Sequence, residues 1–428
     1  MPRPRRFERH IHSTTLPNGV RIVTEPMTHV RSVSVGVWVD SGSRAEVGPE
    51  NGLSHFIEHM VFKGSATRSA EDIARSVDSL GGNLDAYTGK ELVCFNTKVL
   101  DEHVPAAFDV LSDMVLRPAF RPDDIAKEKG VILEELKMEA DNPEYLINET
   151  FSASFWKDHP IGRPILGTRA TIKAFDREMV RGFYRNTYMP SKILITAAGN
   201  ISHQKVVDLA GPGFSALKSR RAPKDAPAPR TYARIDLRNR PNLEQAHLMM
   251  GVPAYPVAHP ARFSTHVLNT LLGGSMSSRL FQNIREQRGL VYAVFSEINN
   301  YRDSGALAVY AGTSRGSLRQ VIALVLDEFR RLKDEGVPED ELARSKNHLK
   351  GSVMLGLEST SSRMSNLARQ QLYFGRFATL DEILAGIDAV TADTIQEVAR
   401  DLFKTETVAL AALGPLTGIR IRREDLAC

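Results

Sequence analysis

The chain is poor in residues that cross-link or anchor a protein. It holds two cysteines, Cys94 and Cys428, and no Cys-x-x-Cys spacing. Two thiols build no disulfide framework, and a reducing compartment is the simpler expectation. No apolar run approaches the ~18 residues that span a bilayer. The longest compact run, VIALVL at 321–326, is stopped by Gln320 and Asp327. No membrane is expected as a partner. Charge of one sign is also scarce: the formal net charge of +4 over 428 residues argues against a dedicated nucleic-acid binder. The N-terminal MPRPRRFERHIHSTTLPNG is basic but has no apolar core, so it does not read as a secretory signal. An Arg-rich transit peptide is the alternative, but Glu8 and the strand-like VRIVTE from residue 20 leave it little room. The expectation is a bacterial-type cytoplasmic protein rather than one of the mitochondrial matrix.

What remains is an ordinary globular composition, and the length suggests two to four domains at ~100–200 residues each. SRRAPKDAPAPR (219–230) is rich in proline and charge and reads as a linker. The predicted division is 1–218, a linker at 219–240, and 241–428. The two halves share an order of elements. VSVGVWV (33–39) pairs with AHLMMGV (246–252), and NLDAYTGKELVCFNTKV (83–99) with VYAVFSEINNYRDSGALAVYAG (291–312). SKILITAAG ends at Gly199 and TVALAALG at Gly414, an offset of 215 residues. This pattern predicts an internal duplication. The expected fold class is α+β: two homologous halves, each a mostly antiparallel sheet covered on one face by helices.

One stretch carries chemistry. HFIEH (55–59) lies in a segment whose Leu53, Phe56, Ile57, Met60 and Val61 form an apolar helical stripe. Residues i and i+4 share a helix face, so His55 and His59 can reach one ion. Glu58 lies near that face, able to take a proton from an activated water without being a ligand. Imidazole nitrogen and tetrahedral geometry favour zinc. The competing reading is a helix whose polar face carries two histidines by chance. A catalytic zinc needs a third protein ligand. DDIAKEKGVILEEL offers Glu128 and Glu135, seven apart and on one helical face, with Glu134 pointing elsewhere. A solvated acidic face has the same spacing.

The chain resembles the inverted-zincin metallopeptidases, the pitrilysin/insulinase-like superfamily. It is most similar to the short-chain branch with the mitochondrial processing peptidase and its bacterial relatives. LPNGVRIV, GLSHFIEHMVFKGS, GGNLDAYTGKE, VILEEL and HPIGRPILGT carry the resemblance over nearly the whole chain. It implies one Zn2+ per chain held by His55, His59 and Glu135, with Glu58 as general base and Glu128 as a supporting partner. It also implies a peptide substrate added as an extended strand at Ala86 and Thr88. Asp85 stands where many members have asparagine. In NIREQRGLVY it implies that Arg285 and Tyr292 bind substrate and its developing oxyanion. Without the resemblance that pair reads as a surface arginine and a half-buried tyrosine.

The second half has no counterpart of the metal motif. Offsets of 214–217 from His55 land on Asn269, Thr270, Leu271 and Leu272. The resemblance implies two chains closing around the substrate, and both residue sets occur in this one sequence. The expectation is a zinc metalloendopeptidase acting as a homodimer, or as a heterodimer with a related chain, each site using Arg285 and Tyr292 of the other chain. The alternative is a catalytically inactive scaffold or partner subunit of the same fold.

Overall fold

The computed structural model describes residues 9–219 and 226–428. Residues 220–225 of the expected linker and the first eight residues of the basic N-terminus lie outside the described residues. The helices in chain order are α1 (Leu53–Val61), α2 (Ala70–Ser79), α3 (Val104–Leu116), α4 (Pro122–Ala140), α5 (Pro143–Phe155), α6 (Arg169–Ala174) and α7 (Arg177–Thr187). They continue as α8 (His203–Phe214), α9 (Arg262–Leu272), α10 (Leu318–Asp334), α11 (Glu339–Gly356), α12 (Thr360–Arg369), α13 (Leu380–Asp388) and α14 (Ala392–Leu402). Among the described residues no helix is long and apolar enough to cross a membrane.

The chain forms two compact units. The first is Met1–Lys137, Arg163–Pro227 and Leu355–Thr379, and the second is Met138–Gly162, Ala228–Met354 and Leu380–Cys428. The first unit is built on strands β1 (His12–Thr15), β2 (Arg21–Pro26), β3 (Ser32–Val39), β4 (Asn83–Thr88), β5 (Val93–Leu100) and β6 (Ile193–Gly199). Their order is β1-β2-β6-β3-β5-β4, antiparallel except for the β2–β6 pair. β-branched residues favour this half-buried, pleated setting. Val33, Val35, Val37 and Val39 of β3, with Val93, Phe95 and Val99 of β5, pack with Phe56, Ile57 and Met60 of α1 and Phe108 and Leu111 of α3.

The opposite face of this sheet is also covered, where the sequence had suggested one covered face. Val23, Trp38, Cys94 and Leu194 pack with Met364, Leu367 and Ala368 of α12. The physical reason is visible in VSVGVWV: Trp38 interrupts the alternation with a large side chain that must be buried on the second face. Its indole N–H donates to Thr196 Oγ1 at 2.7 Å.

The second unit repeats the design. Strands β7 (Ile235–Asn239), β8 (Ala246–Pro253), β9 (Val291–Asn300), β10 (Gly305–Thr313) and β11 (Ala409–Gly414) are ordered β7-β11-β8-β10-β9. The order matches β2-β6-β3-β5-β4 strand for strand, and the parallel pair, β7–β11, again sits at the same place. One face packs with α9, α10 and α14 through Val267, Leu271, Val325, Phe329 and Ile395. The other meets Ile147, Phe151 and Phe155 of α5 through Met249, Ala308, Tyr310 and Ala411.

Two features depart from the division expected from sequence. The expected linker 219–240 runs too far, because Ile235–Asn239 pairs in parallel with β11. The halves also exchange equivalent helices. α5 comes from the first half of the sequence but belongs to the second unit, and α12 makes the reverse trade. Each exchanged helix covers a sheet face that the other half leaves apolar.

Candidate metal centre

The helix that carries HFIEH starts at a tight crossing of the backbone. Gly52, its N-cap, has φ 100°, and a Cβ there would lie 2.9 Å from both the Gly167 Cα and the Leu166 carbonyl oxygen. Only glycine meets both demands. Glycine brings no capping side chain, and α1 has none of its own. The open N–H groups of a helix start need a partner. Glu46 supplies it from the preceding loop. Its Oε1 accepts from the Ser54 N–H at 2.7 Å, and its Oε2 from the Gly52 N–H at 2.8 Å and from Asn51 Nδ2 at 3.2 Å. Burial pushes the Glu46 carboxyl above its ordinary pKa in spite of these donors. An Arg163 guanidinium N–H donates to the Glu46 carbonyl at 3.2 Å.

Leu53, Phe56, Ile57, Met60 and Val61 are fully buried, which sets the rotation of α1. His55 and His59 then face α4. His55 Nε2 lies 3.7 Å from Glu135 Oε1, and His59 Nε2 lies 3.7 Å from Glu135 Oε2. The donor atoms of these three residues all fall within 4.8 Å of one another. These separations are too long for hydrogen bonds. Two donors held ~2.0–2.1 Å from one tetrahedral ion stand ~3.4 Å apart, so the three residues fit a zinc-sized ion after small adjustment. Protonation agrees. Burial, then the neighbouring His59, lowers the His55 pKa to about 4, so its imidazole is neutral near pH 7, as a ligand must be.

A second layer orients these groups. His59 Nδ1 donates to Glu128 Oε1 at 2.8 Å, leaving Nε2 as the free acceptor toward Glu135. Lys63 Nζ lies 2.9 Å from Glu128 Oε2. Glu128 is buried, which pushes its pKa up. The hydrogen bonds from His59 and Lys63 outweigh that and hold it below the usual range. Glu134 points away and pairs with Lys137 at 2.6 Å.

Glu58 sits beside the cluster. Burial raises its pKa, partly opposed by a hydrogen bond from Thr88 Oγ1 to Oε2 at 2.5 Å. Thr88 closes β4, the edge strand of the sheet. Along β4, Leu84, Ala86 and Thr88 are half-buried while Asn83, Asp85 and Tyr87 are exposed. Asp85 Oδ1 accepts from the Ala86 N–H at 2.9 Å.

Arg285 and Tyr292 belong to the second unit. Arg285 lies in an irregular helical stretch, Phe281–Glu286, and Tyr292 near the start of β9 is 79% exposed. The guanidinium carbon sits 4.6 Å from the Phe281 ring centre and 5.5 Å from that of Tyr292, so the cation lies against two aromatic rings. The site residues therefore form two groups: His55, Glu58, His59, Glu128 and Glu135 in one unit, Arg285 and Tyr292 in the other. Sequence reasoning missed Glu46, Lys63 and the side-chain contact of Thr88. Lys63 was within reach, four residues after His59 in the turn that ends α1. Glu46 had no spacing signal, being a cap delivered across a loop.

Residues 21–169 match the family described as Insulinase (Peptidase family M16), and residues 174–349 match the Peptidase M16 inactive domain. The uncharacterized zinc protease YmxG of Bacillus subtilis (strain 168) is 42% identical over 401 residues, spanning 94% of this chain and 97% of its own. An uncharacterized zinc protease of Streptomyces coelicolor is 39% identical over 95% of this chain and 90% of its own. A crystallised protease from Helicobacter pylori superposes with a TM-score of 0.89 at 21% identity, covering 95% of this chain and 100% of that one. At that identity the likeness speaks for the fold.

Proposed function

Because the chain belongs to the insulinase family, peptidase family M16, we propose that it is a zinc-dependent endopeptidase in which His55, His59 and Glu135 hold the metal and Glu58 is the general base. The observation that carries this reading is the convergence of two imidazoles and a carboxylate within 4.8 Å, with the half-buried Glu58 beside them. Bound zinc supplies Lewis acidity, polarising a carbonyl and acidifying water. Glu58 takes the proton of the attacking water and later returns it to the leaving amine. Its raised pKa suits a group that must hold and release a proton. Glu128 keeps His59 in the tautomer that leaves Nε2 free. The peptide lies extended along the open edge of β4, read through main-chain hydrogen bonds beside Ala86 and Thr88. The word "inactive" in the second family description attaches to 174–349, outside the residues of the metal cluster.

The test measures zinc content and cleavage of a quenched peptide with and without chelator. Wild type binds one zinc per chain and loses activity to chelator, while Glu58→Gln keeps the zinc and loses turnover. Full activity in Glu58→Gln refutes the mechanism.

The reading includes a homodimer in which Arg285 and Tyr292 meet the charge that builds on the carbonyl oxygen at the partner's metal centre. Mixing Glu58→Gln chains with Tyr292→Phe chains, each inactive alone, restores activity if the pair acts across chains. No recovery sinks that arrangement.

A further inference from the structure

Thr88 was expected at the substrate strand, yet its side chain is already engaged. Its hydroxyl donates to Glu58 Oε2 at 2.5 Å. The alternation of β4 explains this. Thr88 shares the half-buried side of the strand with Leu84 and Ala86, which pack against the core containing α1. A peptide added to the edge meets the main chain of β4, while this hydroxyl is turned to Glu58.

A glutamate loses side-chain freedom when it is held in one rotamer. A loose carboxylate next to a cation has a worse alternative than disorder, because it can become a further ligand and close the position that a catalytic site must keep open. A single hydroxyl donor answers both problems. It fixes the carboxylate by one oxygen and leaves the other unengaged by Thr88.

We propose that Thr88 is a positioning residue for the reaction, holding the Glu58 carboxylate through Oε2 so that Oε1 takes and returns the proton. This rests on the reading of Glu58 as general base. The reaction balances as before: the proton leaves water, resides on Oε1, and passes to the leaving amine as the peptide bond breaks.

The test uses full-length Thr88→Val and Thr88→Ser. Valine nearly keeps the shape and suits a strand, while serine restores the hydroxyl. Thr88→Val should lose about 10-fold in kcat, as outer partners of metal-site groups do, with KM, zinc content and melting temperature near wild type. Thr88→Ser should recover most of the loss. A crystal structure of metal-free Thr88→Val should show the Glu58 carboxylate displaced from its wild-type position, a readout independent of turnover. If Thr88→Val does not fold, Thr88→Ser carries the test alone: near-wild-type kcat with Glu58 in place supports the proposal, and a 10-fold loss overturns it. Wild-type kcat in folded Thr88→Val, or equal defects in both variants, also overturns it. These failures differ from failure of the underlying reading, which would appear as full activity in Glu58→Gln or no zinc in wild type.

Discussion

Helices α1 and α9 follow matching strands, β3 and β8, in sheets of one topology, but their chemistry differs. α1 turns His55, Glu58 and His59 toward a carboxylate on α4. Where α1 has His55, the offsets of the duplication put Asn269, Thr270, Leu271 and Leu272 on α9, and the two leucines are buried. Both helices keep the apolar residues that fasten them to a sheet. Where α1 carries its metal centre, the corresponding stretch of α9 carries core leucines instead. Their starts differ too. α1 is capped from outside by the Glu46 carboxylate, whereas at Ala261, the N-cap of α9, the N–H goes to a single imidazole acceptor, His259 Nδ1 at 3.2 Å. The cap that gathers three donors belongs to the helix whose axial position must be exact to a fraction of an ångström for ligands to converge.

The largest test of this comparison concerns what the units share. α5 and α12 are equivalent helices traded between halves, and each lies beside one of the chain's two tryptophans, Trp156 and Trp38. Phe151 and Met364 are both 2% exposed. Phe151→Ala should cost about 3–5 kcal/mol and Met364→Ala about 2–5 kcal/mol through transfer and cavity terms. Urea unfolding read in single-tryptophan backgrounds separates the units. Phe151→Ala should lower the Trp156 midpoint more than the Trp38 midpoint, and Met364→Ala the reverse. Equal shifts in both probes would mean that the two units melt as one block.

The next test concerns what they do not share. Glu46→Ala removes the acceptor of three donors at the start of α1. Leaving buried N–H groups unsatisfied costs about 1–3 kcal/mol. Zinc affinity, measured by chelator competition well below the melting temperature, should fall with it, because the ligands ride on that helix. Unchanged affinity together with lowered stability would reduce Glu46 to a fold residue. Ala261, the N-cap position of α9, is the control, and Ala261→Gly should leave zinc affinity unaltered.

The contrast also explains what was legible in the sequence. The HFIEH helix, the strands and the duplication all rest on local periodicity or a fixed offset, and both survive in a one-dimensional reading. The second glutamate helix was visible because Glu128 and Glu135 repeat at helical spacing. Glu46 was not, since its partners lie five, six and eight residues on across a turn that only Gly52 and Gly167 permit. Thr88 looked like a strand residue because it is one; the direction of its hydroxyl depends on which face of β4 meets α1. The strand Ile235–Asn239 was absorbed into the linker because its partner, β11, comes about 170 residues later. The helix exchange has no local signature at all, since α5 and α12 would be equally amphipathic wherever they packed.

The smallest effect comes from a pair of buried carboxylates at matching turns of α3 and α10. Asp113 and Glu328 are 215 residues apart, 0% and 1% exposed. Glu328 accepts from Asn283 Nδ2 at 2.6 Å and lies 3.2 Å from an Arg331 nitrogen. Asp113 gathers Ser65, Thr67 at 2.7 Å, Arg68 at 3.1 Å and Arg117 at 2.8 Å. Burial pushes Asp113 up, but these donors and the Arg117 charge outweigh it and hold its pKa below the ordinary value. A carboxyl depressed in the folded state binds its proton more readily when unfolded. Its contribution is therefore complete above the unfolded value of ~3.9 and is lost as pH falls through the lower folded value. Asp113→Asn keeps the shape and one acceptor, so it should cost only about 1 kcal/mol at neutral pH. The gap between wild type and Asp113→Asn should stay constant from neutral pH down to about pH 5 and close as the pH drops below ~3.9. Chemical denaturation across that range measures it. A gap that persists at the acid end would show that the aspartate acts through its shape and hydrogen bonds, with its charge contributing nothing to the stability of the first unit.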